Sequence, residues 1–258
     1  MITSTASKQV KLIGQLLEKG KCRRNEGVFV AEGIKLFLET PPELIKKLYV
    51  SSEFLKSPSC PKEIYGYEYE EVADDIFKKF SAEKTPQGIV TLVSFPHFGE
   101  EEIFKEAATV LILNSIQDPG NLGTMVRCAE AAGVSAVLMD RGCADLFSPK
   151  VVRATMGSVY RVPVFIYEDL VGRLETLKKE GFRLLAAHLK GRDYFEGADY
   201  RGRVGIMIGN EGNGLSKEIS ALADELIRIP MEGKIESLNA AVSASLFMYE
   251  AKRQRDKF

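Results

Sequence analysis

Three stretches of the chain place polar side chains where an apolar run ends. In "TVLILNSIQDPGNLGTMVRCAEAAGV" a buried-strand pattern stops at a turn and restarts as a helical pattern carrying Asn121 and Arg127. In "VGIMIGNEGNGLS" a second strand pattern ends on Gly209, Gly212 and Gly214, with Glu211 between them. In "IRIPMEGKIESLNAAVSASLFMYE" a third runs through Pro230 and Gly233 to Ser237 and Asn239 at a helix start. Loops of this kind at the carboxyl ends of strands form the crevice in which open α/β sheets bind ligands. Each also has an ordinary explanation. Arg127 can be a solvated helix residue, Asn121 a cap ahead of core positions Leu122, Met125, Val126 and Ala129 with Gly133 as the C-terminal stop, Glu211 part of a Gly-rich turn, and Ser237 or Asn239 a second cap. Taken together, three such loops outweigh the separate explanations.

Several other chemistries are excluded. The glycine order of the second loop is not the GxGxxG of a dinucleotide fingerprint, and the chain has no GxxxxGK[ST] phosphate loop. Cys22, Cys60, Cys128 and Cys143 form no CxxC pair and lie far from His97 and His188, so neither a metal site nor a disulfide framework is expected. The formal net charge of −1 argues against a uniformly basic nucleic-acid binder and directs attention to local clusters. One stands out, where Lys8, Lys11, Lys19, Lys21, Arg23 and Arg24 face Glu18 alone, a density suited to phosphate contact, though a solvated helix end would look similar. A second set, Arg141, Lys150, Arg153 and Arg161, fits RNA, surface or dimer contact equally. No signal-peptide core is present and no apolar run approaches the roughly 20 residues of a membrane span, so a cytoplasmic location is expected.

The elements that must position these residues follow from periodicity. A helix is predicted over residues 7–18 from Val10, Ile13, Leu16 and Leu17, broken by "KGKCRRNEG". "GVFVAEGIKLFLE" reads as a strand entering a helix, "KKLYVSS" and "GIVTLVSF" as strands, and "VADDIFKKF" as a short helix: a small α/β unit. "SFPHFGEEEIFKEA" reads as a linker, which places a boundary near Phe98 and divides the 258 residues into 1–98 and 99–258. Beyond it, "TVLILNSI", "VSAVLMD", "VPVFIY", "FRLLAAH", "VGIMIGN" and "ELIRIPM" alternate with helical patterns, which argues for a mostly parallel sheet wrapped by helices. In the last helix Leu238, Ala241, Val242, Ser245, Leu246 and Tyr249 share one face, expected to be core. His188 is expected in a loop near any ligand of these strand ends.

The blocks "DPGNLGTMVRCAEAAGV", "IGNEGNGLS" and "IPMEGKIESLNAAVSASLFMYE" resemble, in order, the three signature motifs of the SpoU, or TrmH-like, branch of the SPOUT RNA methyltransferases. The likeness covers about residues 110–250. "FVAEGIKLFLE" is similar, less specifically, to the substrate-binding domain that often precedes this catalytic domain, a smaller α/β domain like that of ribosomal protein L30e. The resemblance implies transfer of a methyl group from S-adenosylmethionine to a ribose 2′-hydroxyl of RNA, ribosomal in preference to transfer RNA, by a homodimer that needs no metal. It also implies a deep trefoil knot in the C-terminal half, an exception to the rule that chains do not thread loops. Backbone groups around Ala187, Gly209, Ile229 and Leu238 would hold the cofactor. Arg127 matches the family's catalytic arginine, Asn121 its motif-one asparagine, Glu211 its motif-two glutamate, and Ser237 and Asn239 its motif-three polar pair. Lys19, Lys21, Arg23, Arg24 and Arg153 would then contact RNA. A transfer-RNA enzyme, a base methyltransferase of a related knotted branch, and a non-catalytic RNA-binding protein on the same fold are the alternatives.

Overall fold

Val10, Ile13 and Leu16 are the buried residues of α1 (Lys8–Glu18), the first element of a computed structural model that describes residues 1–104, 107–194 and 197–256. The chain forms two compact units: Met1–Pro96 with Asp145–Tyr160, and His97–Ala144 with Arg161–Phe258.

In the leading unit α1 is followed by α2 (Gly20–Glu26), β1 (Val28–Glu32), α3 (Ile34–Glu39), β2 (Ile45–Ser51), α4 (Ser52–Leu55), β3 (Tyr69–Val72), α5 (Asp74–Phe80) and β4 (Ile89–Ser94). The four strands lie in the order β1-β4-β2-β3, with β4 antiparallel to both neighbours and β3 parallel to β2. Alternate residues of a strand point to opposite faces. Tyr49 and Val90 therefore pack with Ile13, Leu16 and Phe77, whereas Leu48, Val50 and Ile89 pack with Phe37, Phe54 and Ile64.

The expected break after α1 is instead a kink at Lys19 followed by a second helix. Arg23 makes that helix. Its guanidinium is buried, donates to the carbonyls of Leu16 and Leu17 at the end of α1, and forms an ion pair of 2.7 Å with Asp145. An arginine that satisfies the last carbonyls of a helix is a structural cap. The expectation that Arg23 contacts RNA is thus corrected: a cation turned inward onto two carbonyls and a carboxylate has no fork left for a phosphate. Arg23→Met leaves two helix-end carbonyls without their donor, while Asp145, 31% exposed, can turn to water, so the stability of this unit is expected to fall by about 1 to 3 kcal/mol in urea unfolding.

The second unit opens with a 3-10 turn at Glu100–Phe104, within the stretch read as a linker; Lys105 and Glu106 of that stretch lie outside the described residues. It continues with β5 (Thr109–Leu113), α6 (Pro119–Ala132) and β6 (Ala136–Asp140). The chain then contributes Asp145–Tyr160, including α7 (Pro149–Thr155), to the leading unit. This differs from the reading of an uninterrupted 99–258 domain, and the physical reason is aromatic: Phe147 stacks on Phe95 with ring centroids 4.2 Å apart and lies 4.9 Å from Phe29.

From Arg161 onward the second unit adds β7 (Val164–Tyr167), α8 (Leu170–Lys179), β8 (Arg183–Asp193), β9 (Val204–Ile208), α9 (Lys217–Ser220), β10 (Glu225–Arg228) and α10 (Ala240–Arg255). Its six strands run in the order β10-β8-β9-β5-β6-β7, and every pair is parallel. Val110, Ile112, Leu138, Leu184 and Met207 pack on one face with Leu174 and Leu177 of α8. On the other side α6 packs against α10.

One expectation about α10 is met only in part, at Ala241. Its buried face is Ala241, Ala244, Phe247, Met248 and Ala251, while Val242 and Tyr249 of the predicted core face are 48% and 49% exposed. The two apolar stripes of this helix lie side by side, and periodicity alone does not say which of them faces the sheet.

Candidate active site

Parallel strands deliver their carboxyl ends to one edge of the sheet, and three loops meet there. After β5 the chain turns at Asn114 and Ser115, and Asp118 rather than Asn121 caps α6, its Oδ1 accepting from the Asn121 N–H at 2.7 Å with Pro119 in the first helical position. This corrects the reading of Asn121 as the cap and frees its side chain. The Asn121 Nδ2 donates to Glu211 Oε1 at 3.0 Å, and its Oδ1 accepts from Asn239 Nδ2 at 2.9 Å. Asn239 does two tasks, since its own Oδ1 caps α10 by accepting from the N–H groups of Ala241 and Val242 at 2.9 and 3.3 Å. A continuous chain Asn239–Asn121–Glu211 thus joins all three loops.

Burial alone would push the Glu211 carboxyl up, but the Asn121 amide and backbone N–H groups at the turn outweigh it and hold it below the usual carboxylate value. Glu211 therefore accepts as a carboxylate at neutral pH, a role it loses only as pH falls below that range.

A cavity of 1330 Å³ opens beside this chain, and its lining includes Ala187, Gly209, Ile229 and Leu238, the four expected cofactor positions, together with Glu211, Ser237, Asn239 and His188. Its walls fit a nucleoside joined to an amino acid. Ile208, Leu215, Ile227 and Met231 supply apolar surface, and the backbone at Gly209 is pressed so close to the next turn that an added Cβ would sit 2.1 Å from the Gly214 carbonyl carbon and the Leu215 nitrogen. Apolar walls with backbone polar groups suit adenine, which needs no dedicated side chain.

Arg127 is not drawn into the chain. It lies six residues beyond Asn121 and so about 120° away around α6, is exposed, and has no hydrogen-bond or ion-pair partner among the described residues. One turn from it, Thr124 lines a shallow apolar groove with Val242, Leu246 and Tyr249. Of the basic residues expected to meet RNA, Lys19, Lys21 and Arg24 are exposed, whereas Arg153 is ion-paired with Glu83. Arg141 and Arg161 are likewise paired, with Glu168 and Glu130. Three members of that second basic set, Arg141, Arg153 and Arg161, thus each face a carboxylate, unlike Lys19, Lys21 and Arg24.

Asn210 is a further residue of the site, beyond those expected from the motifs. Its Oδ1 accepts from the N–H groups of Gly212 and Asn213 at 2.9 and 3.1 Å, and its Nδ2 donates to the Ser115 carbonyl at 2.9 Å. The signal was present in "NEGNG", since an asparagine ahead of glycines closes turns through its own side chain. Among the described residues no group of three His, Cys, Asp or Glu side chains could hold a metal ion, and no helix is long and apolar enough to cross a membrane.

Comparison with known proteins agrees with this architecture. The model of the SpoU rRNA Methylase family matches residues 108–249, and that of the MRM3-like substrate binding domain matches residues 7–91. The chain is 32% identical over 250 residues to the 23S rRNA (guanosine(2553)-2′-O)-methyltransferase RlmP of Bacillus subtilis, spanning 96% of this chain and 97% of that protein. Among solved structures, the SpoU methyltransferase AviRb of Streptomyces viridochromogenes in complex with the cofactor AdoMet superimposes with a TM-score of 0.85 at 26% identity, over 97% of this chain and 98% of that one. The AdoMet-bound rRNA methyltransferase of Sinorhizobium meliloti does so with a TM-score of 0.82 at 32% identity, over 98% and 97%. With the strand-end loops, the parallel sheet and the leading α/β unit all matched, the chain belongs to the SpoU rRNA methylase family.

Proposed function

We propose that this protein is an RNA 2′-O-ribose methyltransferase that uses S-adenosylmethionine and acts on ribosomal RNA of the 23S type. The observation that carries the reading is the Asn239–Asn121–Glu211 chain at the rim of the cavity lined by Ala187, Gly209, Ile229 and Leu238. Bound there, S-adenosylmethionine supplies an electrophilic methyl group. The chain's own residues must do the rest. A ribose hydroxyl is a poor nucleophile until it loses its proton, and a guanidinium is by its chemistry a poor base. Arg127 instead holds the adjoining phosphate and the oxygen as it becomes anionic, while phosphate or water takes the proton. Glu211, through Asn121, fixes the loop that approaches the sugar, and Ser237 and Asn239 position the ribose. A C-terminal trefoil knot and a cytoplasmic location belong to the same proposal.

The match to a ribosomal-RNA enzyme extends through the leading unit, which supports ribosomal over transfer RNA as substrate. That unit is assigned RNA affinity. Lys19→Ala, Lys21→Ala and Arg24→Ala combined are expected to weaken RNA binding and to reduce the slope of log affinity against log salt by about 2 to 3, measured by filter binding across a salt series, with S-adenosylmethionine affinity unchanged. A slope that does not move would show the cluster to be a solvated helix end. Homodimerisation is proposed through the Thr124–Val242–Leu246–Tyr249 groove, an exposed apolar surface continuous across α6 and α10. Phe247 of the same helix takes no part, being buried against Tyr194. Mapping ribose methylation across cellular RNA with and without the gene tests the function: one 23S-type site should disappear, and an unchanged map would refute the assignment.

A further inference from the structure

Asp140, at the end of β6, lies outside both the cavity lining and the Asn239–Asn121–Glu211 chain, yet its carboxylate accepts three hydrogen bonds from the end of β5. They come from the Asn114 side-chain amide at 2.5 Å, the Ser115 N–H at 3.0 Å and the Ser115 hydroxyl at 3.2 Å. These bonds act on an unfavourable backbone. Ser115 has φ +58°, one of two positive values at non-glycine residues among the described positions, in a region that side chains with a Cβ rarely occupy. In that conformation the Ser115 carbonyl meets Asn210 Nδ2, and Asn210 closes the turn that presents Glu211. Asn114 cannot turn over to relieve a change at Asp140, because its Oδ1 is committed to the Ser216 N–H at 2.8 Å. Cys143 completes the cluster. Burial, then the Asp140 carboxylate, push its thiol up to about 12, so it remains a neutral neighbour to the acid.

We propose that Asp140 is a positioning residue for Glu211: it holds Ser115 in the left-handed conformation, which sets the Asn210 turn and so aims the Glu211 carboxylate at Asn121. The inference rests on the reading that Glu211 serves methyl transfer. Asp140→Asn keeps the shape but sets an NH2 group against either the Asn114 amide or the Ser115 N–H; the Ser115 hydroxyl can turn to accept, but those two are donors only and cannot adapt.

In hydrogen-exchange mass spectrometry of the free protein, Asp140→Asn is expected to speed exchange of the Gly212 and Asn213 amides at least about tenfold. On ribosomal RNA, kcat should fall about 30-fold with KM for RNA little changed, as misplacement of a positioned group predicts. In a Glu211→Gln background the same change should cost less than about threefold, because the residue it acts through is already lost. Adding Ser115→Gly to Asp140→Asn should restore both the protection and most of kcat, since glycine adopts positive φ unaided. Unaltered exchange at 212 and 213, an equal loss in the Glu211→Gln background, or no restoration by Ser115→Gly overturns the proposal. If the single variant does not fold, the double variant decides, supporting the proposal with native protection at 212 and 213 and overturning it without. A wild-type protein inactive on ribosomal RNA would instead refute the functional reading, and the exchange measurements would still decide the role of Asp140.

Discussion

Arg127→Ala is expected to lower methyl transfer at least about 1000-fold, because one group is asked to stabilise both a phosphate and a developing oxyanion in a site where such donors are worth 10² to 10³ each. S-adenosylmethionine affinity should stay within about threefold of wild type, since an interaction made only as the reaction proceeds leaves ground-state binding intact. The structure is consistent with that separation: Arg127 is exposed, does not line the cavity, and makes no hydrogen bond or ion pair among the described residues that its removal could break. Stability should therefore hardly change. Arg127→Lys should be nearly as impaired as the alanine variant, because an ammonium cannot span two oxygens as a planar fork does. Single-turnover kinetics beside calorimetric titration of S-adenosylmethionine check both halves, and near-normal turnover by the lysine variant would defeat the proposed role.

Gly209→Ala should act in the opposite way, abolishing cofactor binding. A Cβ there would lie 2.1 Å from the Gly214 carbonyl carbon and the Leu215 nitrogen and 2.4 Å from the Gly214 oxygen. All three are backbone atoms, so no side chain can rotate aside and the Asn210–Gly214 bridge must open. That opening displaces both the cavity wall and Glu211. S-adenosylmethionine affinity is expected to fall more than about 100-fold, with a loss of about 1 to 3 kcal/mol in stability from the overpacked turn. Gly233→Ala is the control, for nothing lies within 4 Å of its added Cβ. Calorimetry showing similar cofactor affinity for the two variants would mean that the Gly209 turn does not shape the binding site.

What the sequence revealed depended on the scale of the signal. Buried parallel strands are continuous apolar runs, so β5, β6 and β9 were legible directly from "TVLIL", "AVLMD" and "VGIMI". β3 was missed because "YEEV" is an acidic edge strand whose Glu70 pairs with Lys47 at 2.9 Å, and edges are kept charged to discourage further pairing. α2 was missed because its cohesion comes from Arg23 reaching back to the carbonyls of α1, a tertiary contact written in no periodicity. At the site, the residue types were visible but their partnerships were not. Asn121, Glu211 and Asn239 are 90 and 118 residues apart along the links that join them, and only the strand order brings those links together. Asp140 gave no sign at all, since an aspartate after a strand has no pattern that distinguishes a turn residue from the anchor of Ser115.

This chain methylates a ribose oxygen of ribosomal RNA at the expense of S-adenosylmethionine. The reaction is checked by incubating the purified protein with 23S ribosomal RNA from cells lacking the gene and methyl-labelled S-adenosylmethionine, then digesting the RNA to nucleosides and locating the label by mass spectrometry. The label should reside in one 2′-O-methylnucleoside, and none should appear with the Arg127→Ala protein; label on a base, or no label in any RNA nucleoside, would refute ribose methylation by this protein.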